Sequence, residues 1–273
     1  MTDLRDSPLG RASATPQRYE PVILFPVDRA EARAAIGLTG TLPFQGHDAW
    51  TAWEGAWLDA TGRPQVAVAR IDVPATSPRI VESKSVKLYL ASLNHERLAS
   101  REAYAATLAR DLGDAVGAEV RVALALPPAY GGLARESADG ASIDAAPLAS
   151  VPDAPDASRL ATTPWDGDET LHTSLFRSVC PVTGQPDYAT VIVRYRGPRI
   201  DRGSLLAYLA GYRSHAGFHE NCVERIFVDV LAACRPNKLA VEARFTRRGG
   251  VDINPFRTSE ATWRARSAPD VRQ

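Results

Sequence analysis

The sequence predicts an α+β protein built as two copies of one strand–helix–helix–strand plan, and three observations carry that prediction. Set against itself at an offset of 120 residues, the chain brings Pro78-Arg79-Ile80 onto Pro198-Arg199-Ile200 and His95 onto His215. An alternating, β-rich run precedes each of these anchors, and helical stretches follow each one. A length of 273 residues suits two modules of about 100 to 150 residues each.

The elements follow in order. Val66–Val73 and Thr190–Arg196 read as the first strands of the two copies. Short helical segments come next, Ser85–Leu93 and Ser204–Tyr212. The longer helix of the first half, Ser100–Val116, has a serine placed as a cap and Glu102 in its first turn. Its counterpart, Asn221–Ala233, carries Val223, Ile226, Phe227, Val230, Leu231 and Cys234 as one apolar stripe. Pro236 and Asn237 stop that helix, and the closing strands are expected at Ala118–Leu126 and Leu239–Thr246. Between the halves, Pro127–Trp165 is rich in Pro, Gly, Ala, Ser and Asp without a sustained apolar period. The expected division is therefore a module over 1–128, a linker or surface excursion over 129–165, and a second module over 166–273.

Charge narrows the function classes. The 32 basic residues are balanced by 32 acidic ones, so the electrostatic footprint of a nucleic-acid or anionic-membrane binder is missing and a small-molecule partner is expected. No apolar run approaches the roughly 20 residues of a membrane span, and Met1–Arg18 is polar where a secretion signal needs a hydrophobic stretch. A cytoplasmic protein is expected. The three cysteines, Cys180, Cys222 and Cys234, form neither a disulfide framework nor a C-x-x-C metal or redox motif.

Cys180 sits in Arg177-Ser-Val-Cys-Pro-Val-Thr-Gly-Gln-Pro-Asp187, where two prolines and a glycine mark a shaped loop rather than a helix. A lone cysteine is ordinarily core filler, and a loop aspartate ordinarily a turn former. Here the turn can set Asp187 beside the thiol, pairing a soft nucleophile with an acid able to protonate what it attacks. Cys222 and Cys234 lie on or at the end of the long helix and read as structural. His219 and Glu220 stand at that helix's N-terminus, where Glu220 is either a first-turn acid or, beside a histidine, an acceptor for the paired N–H donors of an amidine edge.

Lysine use is selective. The chain has only three lysines, and two of them, Lys84 and Lys87, fall in Glu82-Ser-Lys-Ser-Val-Lys87, which reads either as a solvated helix start or as a phosphate or ring contact. Arg247-Arg-Gly-Gly250, after the expected last strand, offers two arginines and an approachable backbone to a phosphate. No G-x-G-x-x-G follows a strand, so a dinucleotide would bind outside a Rossmann fold.

Four motifs, E-S-K-S-V-K-L-Y-L (Glu82–Leu90), C-P-V-T-G-Q-P-D (Cys180–Asp187), F-H-E-N-C-V-E-R-I-F (Phe218–Phe227) and R-R-G-G-V-D-I-N-P (Arg247–Pro255), together resemble the 7-cyano-7-deazaguanine reductase family in its long two-module form. The resemblance implies tandem tunnelling-fold modules, each an antiparallel sheet with two layered helices. It implies reduction of a nitrile to a primary amine with NADPH on a deazapurine substrate, in the pathway to the tRNA nucleoside queuosine, and a homodimer. By the same resemblance Cys180 is the nucleophile that forms a thioimide and Asp187 the proton donor. Val81, Glu82, Ser83, His219 and Glu220 are the implied substrate contacts; Ser83, Lys84, Arg248 and Gly249 are the implied cofactor contacts. With the nucleophile and the Glu-Ser-Lys motif in different halves, neither half is expected to work alone. Two rivals are a zinc-dependent cyclohydrolase of related architecture and a non-catalytic deazapurine-binding module. The first lacks a Cys or His at ligand spacing from Cys180, so no metal is expected; the second would need Glu82 and Glu220 but not Cys180.

Overall fold

A computed structural model describes Pro8, residues 14–148 and residues 150–273. Most of the polar N-terminal tail noted in the sequence, residues 1–7 and 9–13, lies outside the described residues. The elements are β1 (Pro26–Asp28), α1 (Ala30–Ala35), β2 (Gln45–Leu58), β3 (Pro64–Pro74), β4 (Arg79–Val81), α2 (Ser83–Ser92), α3 (Arg101–Val116) and β5 (Arg121–Ala125). They continue with β6 (Ala141–Ser142), β7 (Thr162–Val179), β8 (Pro186–Ile200), α4 (Arg202–Ala210), α5 (His219–Cys234), β9 (Lys238–Phe245) and β10 (Val251–Thr258). Two compact units interleave along the chain. The first takes the described residues up to Glu31 with His47–Ala134 and Arg247–Ile253; the second takes Ala32–Gly46, Arg135–Thr246 and Asn254–Gln273.

In the first unit β2, β3 and β5 form an antiparallel sheet, with β3 in the middle, and β10 follows β2 in the strand order. Helices α2 and α3 bury Val86, Tyr89, Tyr104, Leu108 and Leu112, with Leu93 at the C-cap of α2, in one core with residues of β2 and β3. Trp57 stacks on Tyr104 at 4.5 Å between ring centroids, so sheet and helix share an aromatic contact as well as aliphatic burial. The Ser100 hydroxyl accepts from the Ala103 N–H at 3.2 Å, as its position predicts, and Gly117 ends α3 with a left-handed φ of 73°. The short pair β1–β4 aligns Pro26 with Val81, and the Glu82 N–H donates to the Phe25 carbonyl at 2.9 Å, which fixes where α2 starts.

The second unit runs β10-β9-β8-β7-β6, antiparallel except for β6 against β7. The apolar stripe predicted on α5 is buried through Val223, Ile226, Phe227, Val230 and Cys234. Arg33 and Arg257 close on the fully buried Glu224 at 2.7 and 2.8 Å, a charge cluster that stays inside only because the carboxylate is met from two sides.

Several elements depart from the sequence expectation. Helix α2 starts two residues earlier than expected, at Ser83, because the Glu82 carboxylate acts as its cap. Helix α5 starts at His219, so His219 and Glu220 are helical rather than preceding the helix; Phe218 occupies the cap position without a side-chain hydrogen bond. Strand β9 is not the last, since β10 follows the Arg247–Gly250 turn. Each half also contains a long strand before the one expected, β2 and β7, so the common plan is two strands, two helices and a strand. In the stretch read as a linker, β6 pairs with β7, Ile143 is buried, and Asp144 accepts from the Thr173 hydroxyl at 2.6 Å.

Candidate active site

The β7–β8 hairpin places Cys180. Its N–H donates to the Gln185 carbonyl at 2.9 Å, and the Gly184 N–H donates back to the Cys180 carbonyl at 3.1 Å. Gly184 closes the turn with φ of 67°, a conformation a side chain would disfavour. Ser178 pairs with Asp187 across the hairpin. Because side chains alternate along a strand, Cys180 shares the face of Ser178 and therefore that of Asp187, its diagonal neighbour at a typical backbone spacing of about 7–8 Å. The β2–β3 turn of the first unit closes similarly with one residue fewer, the Asp59 N–H donating to the Arg63 carbonyl and the Gly62 N–H to the Asp59 carbonyl, both at 2.9 Å. There the residues matching Cys180 and Asp187 are Asp59 and Gln65, and their side chains meet at 3.1 Å.

A second tie brings α5 to the same place. The Val179 N–H donates to the His215 carbonyl at 3.0 Å and the Gly217 N–H to the Val179 carbonyl at 3.1 Å, so the segment leading into α5 is zipped to the end of β7. His219, the first residue of α5, puts Nε2 3.5 Å from the Asp187 carboxylate, and its ring stacks on Phe245 at 3.7 Å and 10°. Its Nδ1 is buried and has no hydrogen-bond partner among the described residues. Asp187 is 5 % exposed and Cys180 9 %, so both residues are buried.

The other cysteines are different. Cys222 is fully buried, and burial, with the charges of Asp187 and Glu220 adding, pushes its thiol up to about 12. Burial raises Cys234 to about 11. Neither supplies thiolate near neutral pH, which fits the structural role read from the helix stripe. Glu220 is a buried first-turn residue of α5, next to His219 in the chain. The second unit thus carries Cys180 and Asp187 on one hairpin, with His219 against Asp187 and Glu220 following it in α5.

The first unit holds the remaining predicted residues. Val81 ends β4 with its side chain in the core, so only its backbone faces outward chemistry. The Glu82 carboxylate accepts from the Lys84 N–H at 2.5 Å, the Ser85 N–H at 2.9 Å and the Ser83 hydroxyl at 3.5 Å. Burial raises its pKa above the usual glutamate value, against the lowering pull of those N–H groups and of Lys87. A carboxylate has about four acceptor positions, so one more donor can be received. Because Glu82 occupies the first N–H groups of α2, an anion here has to be held by side chains instead.

The Arg247–Gly250 turn supplies some. Gly249 and Gly250 have φ of 56° and 77°, and the Arg248 N–H donates to the Val251 carbonyl at 2.9 Å, a two-residue hairpin turn of the type that needs left-handed residues. A methyl group on Gly249 would sit 3.2 Å from the Lys87 side chain, so the turn lies directly against α2. Lys84, Lys87, Arg248 and the Gly249 backbone therefore come from two segments of one unit. Their donors suit a polyphosphate. Among the described residues, no group of three or more His, Cys, Asp or Glu side chains is gathered as metal ligands.

Two neighbours were not singled out in the sequence. Ser178 could have been found from the two-residue strand period through Cys180. Phe245 reads as an ordinary core residue of β9, and nothing in its own segment points to the His219 ring.

Residues 15–124 match the family model described as nitrile reductase, 7-cyano-7-deazaguanine-reductase N-term. Residues 186–263 match the model described as QueF-like protein. The chain is 54 % identical over 262 residues to a protein of Stenotrophomonas maltophilia strain K279a named NADPH-dependent 7-cyano-7-deazaguanine reductase, covering 95 % of this chain and 94 % of the relative. A relative of the same name from Burkholderia ambifaria strain AMMD is 52 % identical over 255 residues, with 93 % of each chain covered. Another, from Xanthomonas campestris pv. campestris strain B100, is 53 % identical over 264 residues, covering 95 % of this chain and 94 % of the relative.

Proposed function

The chain belongs to the 7-cyano-7-deazaguanine reductase family, and we propose that it reduces the nitrile of 7-cyano-7-deazaguanine to the aminomethyl group with NADPH, as a step toward queuosine. The observation that carries the reading is the β7–β8 hairpin end, where the Cys180 N–H bonds to the Gln185 carbonyl and Asp187, two residues further on, meets the His219 ring.

In the proposed first step the Cys180 sulfur bonds to the nitrile carbon, one C–N π bond opens, and its electron pair takes a proton at nitrogen. Asp187 gives that proton and recovers the thiol's, so S–H adds across the triple bond with no net change in the acid. The product is a thioimide, a better acceptor of hydride than a free nitrile. His219, held flat by Phe245, keeps the carboxyl group oriented while the proton moves. Glu220 and Glu82 are the acidic partners proposed for the guanine-like edge of the substrate, with His219, Ser83 and the Val81 backbone completing its contacts. Ser83, Lys84, Arg248 and Gly249 are the residues proposed to hold NADPH. When bound, that cofactor supplies hydride, two equivalents for each nitrile taken to the amine.

The assembly proposed is a homodimer, and the compartment the cytoplasm; among the described residues no helix is long and apolar enough to cross a membrane. The test mixes protein with 7-cyano-7-deazaguanine and no cofactor, then measures intact mass. An adduct of one substrate mass is expected for the wild-type protein and none for Cys180→Ala. No adduct on the wild-type protein, or an adduct that survives the substitution, would remove Cys180 from the reaction.

A further inference from the structure

One cation beside the proposed cofactor residues is unused in that reading. Arg247 is exposed, and its guanidinium carbon lies 5.1 Å from the centroid of the Trp53 ring. No carboxylate pairs with it among the described residues. The ring beneath it is fixed: the indole N–H donates to Asp252 at 2.5 Å, and the Trp53 backbone N–H donates to the Gly250 carbonyl at 2.9 Å. Trp53 also sits where the β2–β3 register shifts between Ala52 and Gly55, an irregularity that re-aims side chains. On the hairpin's other flank, Gly249 faces Lys87. The turn therefore displays two cationic patches, Arg248 with Lys87 against the neighbouring Gly249, and Arg247 on its aromatic platform, while the Glu54 carboxylate lies against Gly250.

Two patches match the two phosphate groups of one ligand. NADPH carries a pyrophosphate and a separate 2′-phosphate, and NADH lacks only the second. We propose that Arg247, held against Trp53, binds the 2′-phosphate and sets the preference for NADPH over NADH. The proposal rests on the nitrile-reductase reading above. Arginine is suited to this task because its planar fork meets two phosphate oxygens at once, and an arginine near the ribose is a known way to accommodate a 2′-phosphate. Stacking on Trp53 restricts the side chain before the ligand arrives, so less ordering remains to be done on binding.

The test is a binding titration on the full chain with NADPH, NADH, 2′,5′-ADP and 5′-AMP. Arg247→Ala is expected to weaken NADPH and 2′,5′-ADP by about 10–100-fold, the range for losing a charge-assisted hydrogen bond, and to leave NADH and 5′-AMP unchanged. Arg247→Lys should recover part of the loss, and Trp53→Leu should show a smaller loss of the same selectivity. Equal weakening of NADPH and NADH by Arg247→Ala, or no weakening of either, overturns the proposal. The cofactor-free adduct of Arg247→Ala serves as the control. If it forms at the wild-type level the variant is folded and the titration decides; if wild-type protein neither forms it nor binds NADPH, the nitrile-reductase reading has failed and this assignment falls with it.

Discussion

Cys180, Cys222 and Cys234 differ in what surrounds the sulfur, and that difference sets their chemistry. Cys222 and Cys234 are held protonated by burial, up to about 12 and 11, whereas Cys180 ends a strand at a turn. Iodoacetamide at pH 8 on the native protein is therefore expected to add one label, at Cys180, and peptide mapping checks it; labelling of Cys222 before Cys180 would contradict the surroundings described. Asp187 is the second decisive residue. Asp187→Asn keeps the shape and removes the acidic proton, so turnover should fall by about 10²–10⁴-fold while substrate affinity changes little. Steady-state kinetics set beside equilibrium binding separates the two. Equal losses in both would make Asp187 a binding residue.

Among the elements, the helix pairs are tied by the same device in both units. Tyr89 of α2 donates to Asp111 of α3 at 2.6 Å, and Tyr208 of α4 donates to Asp229 of α5 at 2.6 Å. Removing either hydroxyl takes a donor from a carboxylate that is largely buried. Tyr89→Phe and Tyr208→Phe should each cost about 1–3 kcal/mol, read as a lowered urea midpoint; an unchanged midpoint would show that water replaces the tie. How far the elements were legible follows from which signal each carries. Helix α5 was legible because its apolar stripe repeats at the helical period, and α3 because a serine cap and a first-turn glutamate mark its start. The first turn of α5 was not, because Phe218 is no capping residue, and the start of α2 was not, because a glutamate caps it. Strand β7 was hidden by shifts of register at Thr163/Gly167 and Thr173/Phe176, which break the alternation a strand would show. The site motifs were legible as clusters of reactive residue types. The stacking of His219 on Phe245 was not, because 26 positions separate them in the chain and only the β9 register joins them.

Across the whole molecule, the duplicated plan has kept different chemistry in each copy. The capped helix start recurs, with Ser85 N–H donating to Glu82 and Ser204 N–H to Asp201, but the positions of Lys84 and Lys87 are Gly203 and the buried Leu206 in the second copy. The hairpin turn recurs as well, one residue shorter, with Asp59 where the second copy has Cys180. Both copies, however, bury groups that cannot ionise in place, and this gives the protein a common alkaline limit. The folded values of Cys222 and Cys234 lie above their ordinary 9.0, and those of Tyr89, Tyr104, Tyr195, Tyr208 and Tyr212 above 10.0, burial being the first cause in each. As pH rises past 9 the unfolded chain releases these protons first, so the folded state binds more of them and stability falls with pH. The contribution is whole below pH 9. Each thiol then removes about 1.4 kcal/mol per pH unit until its folded value is reached, and the tyrosines join above 10. Urea midpoints at pH 8, 9, 10 and 10.5 should therefore hold level and then drop with increasing slope, and Cys222→Ala with Cys234→Ala should flatten the segment between 9 and 10 although the double variant starts from a lower midpoint. A wild-type midpoint that stays level to pH 10.5 would mean that water reaches these side chains in the folded protein.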